Sequence, residues 1–292
     1  MGHEARVEHT RFPKDSVSPL RLYQAIYSSH VQEMVQENMF GPPEKIAYVT
    51  SICNLYPGSI MRRNTEYMEA YFCGPLTSAG AIRIPNNPGI PFKQNAAVAE
   101  TFRDALIPQL VAESAGLDVH LTVPSHVGVR SHVREGLGWG EGDYNFFWLM
   151  YLSGIDPASA QRFAAKDSTM NAIANINRKD RKRDEYKIIY QNLVDDFIAF
   201  ATNTDGSVRL NKMAKMVTLP DSRCSFGSQM EMRLAHGLGI PVEEAHVNPE
   251  WIKQQQHLWF VAHKDEQLNK LDEQDFVLPT DTLAENISLH TI

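Results

Sequence analysis

Apolar residues recur along this chain with a helical period in some stretches and a strand period in others. From Ser18 to Phe40, Leu20, Tyr23, Tyr27, Val31 and Met34 fall at helical spacing, and Gly41-Pro42-Pro43 supplies a stop. Lys45 to Cys53 reads as a strand, because the run Ile46-Ala47-Tyr48-Val49 is apolar on both faces, as inside a parallel sheet. Ala70 to Gly74 is a second candidate and competes with it for the place of first strand. Asn95 to Ser114 carries Val98, Phe102, Leu106 and Leu110 on one helical face, with a kink expected at Pro108 and an end at Gly116. Val119, Leu121 and Val123 then alternate as a strand closed by Pro124. Tyr144 to Leu152 is apolar and aromatic throughout, which predicts a buried helix or an oligomer surface, and Asp156 to Phe200 reads as two helices. Met216, Val217 and Leu219 form a short buried strand broken by Pro220-Asp221-Ser222. From Phe226 onward Met230, Leu234 and Leu238 mark a helix that leads through Gly237, Gly239 and Ile240-Pro241-Val242 into another strand. Pro249 to Leu268 suits an amphipathic helix.

Strand, helix and strand alternate as an α/β fold requires. The expectation is a Rossmann-like, largely parallel sheet flanked by helices, with a helical insertion at about residues 143–200. Residues 1–17 are expected to be a flexible arm, residues 18–268 a single α/β domain, and the acidic tail 269–292 loosely packed. Composition narrows the function. The formal net charge of −7 argues against a general binder of polymeric nucleic acid or anionic membrane. Cys53, Cys73 and Cys224 form no CxxC pair and are odd in number, so neither a zinc site nor a disulfide framework is indicated. The N-terminal residues lack a signal-peptide core and no stretch approaches 18 apolar residues, so a soluble, cytoplasmic protein is expected.

Chemistry concentrates in Ser225, Gly227, Ser228 and Glu231. On a helix Gly227, Ser228 and Glu231 share one stripe, offset from the apolar face of Met230 and Leu234. Ser225 is a fair N-cap, Gly227 allows close approach to the backbone, and the first N–H groups of the helix suit an anion such as phosphate.

Ser-x-Gly-x-x-x-Glu after a strand, with a helix running into Leu-Gly-Ile-Pro-Val, resembles the nucleoside 2-deoxyribosyltransferase superfamily. The closest branch is that of the nucleoside 5'-monophosphate N-glycosidases, which includes 2'-deoxynucleoside 5'-phosphate N-hydrolases and the CMP and hydroxymethyl-CMP hydrolases. The resemblance implies that Glu231 attacks or stabilises the anomeric carbon and that Ser225, six residues earlier, binds the 5'-phosphate. In the nucleoside transferases an aspartate is typical at that position, whose charge would repel a phosphate dianion. In this branch the first strand ends in a similar aromatic-Cys-Gly stretch, followed by a small-residue loop and an arginine that hold the nucleotide. Here that corresponds to Tyr71-Phe72-Cys73-Gly74, with Thr77 and Ser78 in the loop and Arg83 beyond it. Family members usually carry an acid before the motif strand; Asp205 is the candidate, with Asp143 and Asp196 as rivals, although strict spacing falls on Ser207. Lys215 stands where an aspartate is common.

The function these residues imply is hydrolysis of the N-glycosidic bond of a (deoxy)nucleoside 5'-monophosphate, with base exchange between nucleosides or non-catalytic nucleotide sensing as the alternatives. Tyr71 or Trp139 would stack on the base. No cofactor is expected, and the resembling family implies a homodimer or higher homo-oligomer. His120, His126 and His132 share no helical or strand face, so no metal site is predicted. Gly136 to Gly142 lacks the order of a phosphate loop and reads as a hinge. The mixed charges from Arg178 to Lys187 predict a solvated helix face.

Overall fold

The computed structural model describes residues 18–30, 59–74, 99, 102–103, 105–123, 137–178, 180–202, 208–219, 222, 225–247, 250, 254, 257–258, 261 and 287–291, with backbone alone at 247 and 287–291. The chain divides into two compact units, one of residues 1–61 and 131–210 and one of residues 62–130 and 211–292. The helical stretch expected as an insertion thus groups with the N-terminal residues. Among the described residues no helix is long and apolar enough to cross a membrane.

The first unit is helical, with α1 (Pro19–Ser28), α3 (Glu141–Ser153), α4 (Pro157–Ala164), α5 (Asp167–Asn177) and α6 (Arg183–Ala201). Helix α1 was expected to run to Phe40 but ends at Ser28, where Ser29 turns left-handed at φ 62°. Its Tyr23 hydroxyl donates to the Ile155 carbonyl at 2.6 Å. Helix α3 is buried almost all round, as its aromatic run predicts, with Phe147 stacked on Tyr151 at 5.8 Å. Three helices stand where two were expected. Asp156 caps α4 by accepting from the Ser159 N–H at 2.9 Å, and the chain breaks again at Lys166 and at Arg178, where the backbone becomes extended. The charged run therefore straddles a helix boundary, although its residues are mostly exposed.

Gly140, the N-cap of α3, and Gly142, in its first turn, serve close packing rather than a hinge. A Cβ at Gly142 would lie 2.5 Å from the Ile173 carbonyl oxygen, and one at Gly140 would collide with Asn177, so both let α3 approach α5 closely. Trp139 is buried against Phe147, with ring centroids 5.3 Å apart, and has no face to offer a base.

The second unit is the α/β sheet. It contains β1 (Tyr67–Cys73), the helix α2 over residues 105–113, β2 (Asp118–Thr122), β3 (Lys215–Thr218), α7 (Phe226–Leu238), β4 (Val242–Val247) and β5 (Ile287–Thr291). Strand order is β2-β1-β3-β4-β5; the first four are mutually parallel, and β5 joins antiparallel at the edge. The tail expected to be loose thus ends in a strand that covers the open edge of β4. Strand β1 lies inside the sheet, between β2 and β3, and is buried at all seven positions. Residues 45–53, its rival for first strand, lie outside the described residues.

One face of the sheet presents Met68, Ala70, Phe72, Leu121, Val217 and Ala245 to Phe102, Leu106 and Leu110 on the α2 side. At the border of that face the Lys215 ammonium pairs with Glu113 and, at 2.9 Å, with Glu243. The opposite face carries Glu69, Tyr71 and Cys73 and is covered by α7, whose Met230, Leu234 and Leu238 are buried. The step from β1 through α2 to β2 runs one way along the sheet, and the step from β3 through α7 to β4 runs the other way. The two helices therefore lie on opposite faces, and the order reverses between β1 and β3. In open α/β sheets a crevice forms at the carboxyl ends of the strands where this reversal occurs.

Candidate functional site

At this reversal the ends of β1 and β3 are tied to each other. Leu219 N–H and the Ser222 hydroxyl both donate to the Cys73 carbonyl, at 3.2 and 2.9 Å, which sets the exit of the loop that leads into α7. Helix α7 begins at Phe226 with Ser225 as its N-cap, in extended geometry at φ −99° and ψ 125°. The Ser225 hydroxyl makes no capping hydrogen bond. The first intrahelical bond runs from Gln229 N–H to the Ser225 carbonyl at 2.9 Å, so the N–H groups of Gly227 and Ser228 precede the ladder at the helix end. Gly227 is exposed, and a Cβ placed on it would meet only the Ser225 hydroxyl at 3.9 Å. Packing does not require glycine there; its small size leaves the helix end open.

Glu231 lies one turn further along α7 and meets β1. Because side chains alternate along a strand, Tyr71 and Cys73 share the face under α7. The Tyr71 hydroxyl donates to Glu231 Oε1 at 2.8 Å. The Cys73 thiol donates to the Ser228 carbonyl, one turn earlier on α7, at 3.8 Å. Glu231 retains some solvent-accessible surface, yet protein encloses its carboxyl group. Desolvation pushes its pKa from 4.5 to about 7, against the opposing pull of the neighbouring Cys73 and of the Tyr71 hydrogen bond. Burial, followed by the adjacent Glu231 charge, pushes the Cys73 thiol far above its ordinary value, so it stays protonated. A carboxyl group balanced between its two states near neutral pH, one turn from a helix N-terminus, can act as a proton carrier or as a nucleophile.

The structure thus brings together Glu231, Ser225, Gly227, Ser228 and Tyr71 of the residues expected from sequence, with Gly74 at the end of β1. Tyr71 is not a free stacking platform. It is fully buried and spends its hydroxyl on Glu231. At Gly74 a Cβ would crowd Phe72 Cε1 at 3.3 Å and Leu219 Cδ1 at 3.4 Å, so glycine there eases the passage between β1 and the end of β3. Thr77, Ser78, Arg83 and Asp205 lie outside the described residues, as do His126 and His132. The rival acids belong to the helical unit. Asp143 is buried and accepts from Gly140 N–H and Asn177 Nδ2, both at 2.9 Å, so it closes back on the N-cap of α3; Asp196 is exposed on α6. His120 packs edge-on against Tyr67 at 4.8 Å.

The contact of Cys73 with Ser228 carries no signal in the sequence, which does not say which face of β1 meets α7. A second polar group on the same face also lacked a signal. Arg63 and Glu69 form a buried ion pair at 2.8 Å, Thr122 donates to the other Glu69 oxygen at 2.7 Å, and Arg63 Nη1 donates to the Asn211 carbonyl at 2.9 Å. Each carboxylate oxygen is satisfied, as a buried charge requires. No protein-family model, curated protein or solved structure matches the chain.

Proposed function

We propose that the protein hydrolyses the N-glycosidic bond of a (deoxy)nucleoside 5'-monophosphate, releasing a free base and (deoxy)ribose 5-phosphate. The observation that carries this reading is Glu231, a residue on the partly exposed first part of α7 whose desolvated carboxyl group is held by Tyr71, one turn inside the helix end at Ser225. In its ionised form Glu231 attacks the anomeric carbon, the bond to the base breaks, and the bonding electrons leave with the base, which takes up a proton. Water then attacks the glycosyl ester, gives up a proton and restores the carboxylate, by the logic of retaining glycosidases. The developing positive charge on the sugar strengthens the attraction to the carboxylate as the transition state forms.

The 5'-phosphate seats at the start of α7, on the N–H groups of Gly227 and Ser228 that precede the helical ladder and on the Ser225 hydroxyl at the N-cap. A serine there brings no negative charge against the dianion. Phosphate binding, remote from the bond that breaks, fixes the anomeric carbon at Glu231. No cofactor enters these steps.

The test is incubation with a panel of ribo- and deoxyribonucleoside 5'-monophosphates, followed by chromatography for free base. Release from one of them supports hydrolysis and identifies the base. Release only when a second base is supplied assigns base exchange instead, and intact recovery of a nucleotide that binds assigns a sensing role.

A further inference from the structure

Ser222 links the chain ends that carry the proposed site. Its hydroxyl donates to the Cys73 carbonyl at the end of β1 at 2.9 Å. Its N–H donates to the Leu219 carbonyl just past β3 at 2.9 Å, and its own carbonyl accepts from the N–H of Ser225, the N-cap of α7, at 3.1 Å. The residue is fully buried. Two of these bonds are backbone bonds that survive loss of the side chain. The bond across to β1 is the one that the serine hydroxyl supplies.

β1 and α7 are also the elements that carry Tyr71 and Glu231. These two residues are 160 positions apart in sequence, so tertiary ties alone keep the Tyr71 hydroxyl at 2.8 Å from Glu231 Oε1. A hydrogen bond weakens steeply when its donor and acceptor drift apart or out of line, so this one needs the start of α7 fixed against β1. The ladder between β1 and β3 ends at the pair Cys73 and Thr218, and Leu219 N–H extends it to the Cys73 carbonyl. The Ser222 hydroxyl carries the tie beyond the ladder, onto the segment that enters α7.

We propose that Ser222 is a positioning residue for Glu231: its bond to the Cys73 carbonyl fixes the start of α7 against the end of β1 and so sets the hydrogen bond between Tyr71 and Glu231. The proposal rests on the reading of Glu231 as the reacting group. The far end of α7 has a separate anchor. There the Lys212 ammonium donates to the Leu238 and Gly239 carbonyls at 2.6 and 3.2 Å, which satisfies the helix end and complements its dipole. That end lies about two turns from Glu231, so Lys212 bears on the stability of the helix and not on the aim of the carboxyl group.

The test reads the carboxyl group itself and does not depend on finding a substrate. Carbon-13 NMR of the full-length protein, labelled at glutamate side-chain carboxyls and assigned by difference with E231Q, follows the titration of Glu231 in wild type, S222A, Y71F, the double variant and K212A, each shown to be folded by circular dichroism. Alanine removes the donor and leaves the Cys73 carbonyl with the Leu219 N–H, so no buried group is orphaned. S222A is expected to raise the Glu231 midpoint by about half to one pH unit, less than Y71F does, because the Tyr71 bond is loosened and not deleted. In the Y71F background the same substitution is expected to leave the midpoint where Y71F alone puts it, since the bond it acts through is gone. K212A is expected to lower the melting temperature and keep the wild-type midpoint. S222C, close in volume with a weaker donor, gives a smaller shift of the same sign and carries the test if S222A does not fold. An unchanged or lowered midpoint in the folded Ser222 variants would overturn the proposal, as would a shift that adds in full to that of Y71F, or an equal shift in K212A. If the midpoints move as expected while no nucleotide on the panel releases base, Ser222 still positions Glu231 and it is the glycosidase reading that fails.

Discussion

Replacing Tyr71 by phenylalanine removes one hydroxyl and nothing else from a fully buried ring, so the fold has little reason to change. That hydroxyl donates to Glu231 Oε1 at 2.8 Å and favours the ionised carboxylate. A hydrogen bond to a charged group contributes about 1.5–3 kcal/mol, and a pH unit corresponds to about 1.4 kcal/mol, so the Glu231 pKa should rise by about one to two units. The starting value is about 7, which places the variant at about 8–9. At neutral pH the ionised fraction would fall from about one half to between about one tenth and one hundredth, a loss of about 5- to 50-fold in kcat/KM. The assay is the pH dependence of kcat/KM for base release. The acid limb should move to higher pH in Y71F, and activity should recover in alkaline buffer. A loss that is the same at every pH would refute the reasoning, because it would mean that Tyr71 acts without influencing the protonation of Glu231.

The same burial that prepares Glu231 for chemistry should cost stability. Its folded pKa, about 7, lies above the ordinary 4.5, so the folded state holds a proton that the unfolded chain has released, and stability falls as pH rises through that window. Complete ionisation costs about 3 kcal/mol. E231Q, which cannot ionise, should therefore melt above wild type at about pH 8.5, with the advantage shrinking toward about pH 4.5; an equal difference in melting temperature at both pH values contradicts the assignment. In the helical unit, Gly142→Ala forces a Cβ against the Ile173 carbonyl. Crowding of about 1–3 kcal/mol should outweigh the helix-propensity gain of about 1 kcal/mol, so denaturant melts should show a net loss. A neutral or stabilised variant would mean that α3 and α5 do not approach so closely.

Much of this was legible in the chain because local chemistry and tertiary packing agree. The period of Met230, Leu234 and Leu238, the serine before Phe226 and the glycine at 239 bound α7 from sequence alone, and the structure begins and ends it there, with Gly239 left-handed at φ 66°. The alternation of Val119, Leu121 and Val123 likewise marks β2. What stayed hidden depends on which surfaces meet. Tyr71 looks equally suited to stacking on a ligand or to binding a neighbour until α7 is placed over its face of β1. Trp139 stands among glycines that resemble a hinge, yet those glycines serve close helix packing, and the tryptophan is drawn in with them. The short Ile287–Thr291 strand is too brief to be recognised without the β4 edge that pairs with it. The Arg63 and Glu69 pair forms across a turn whose geometry no periodicity announces.

The central claim is that Glu231 performs the bond cleavage, and the most direct measurement is the turnover of E231Q beside wild type on the nucleotide that responds, with both proteins shown to be folded at the assay pH. The account predicts a loss on the order of 10²–10⁴-fold in kcat. Turnover equal to wild type would remove Glu231 from the mechanism and with it the proposed reaction.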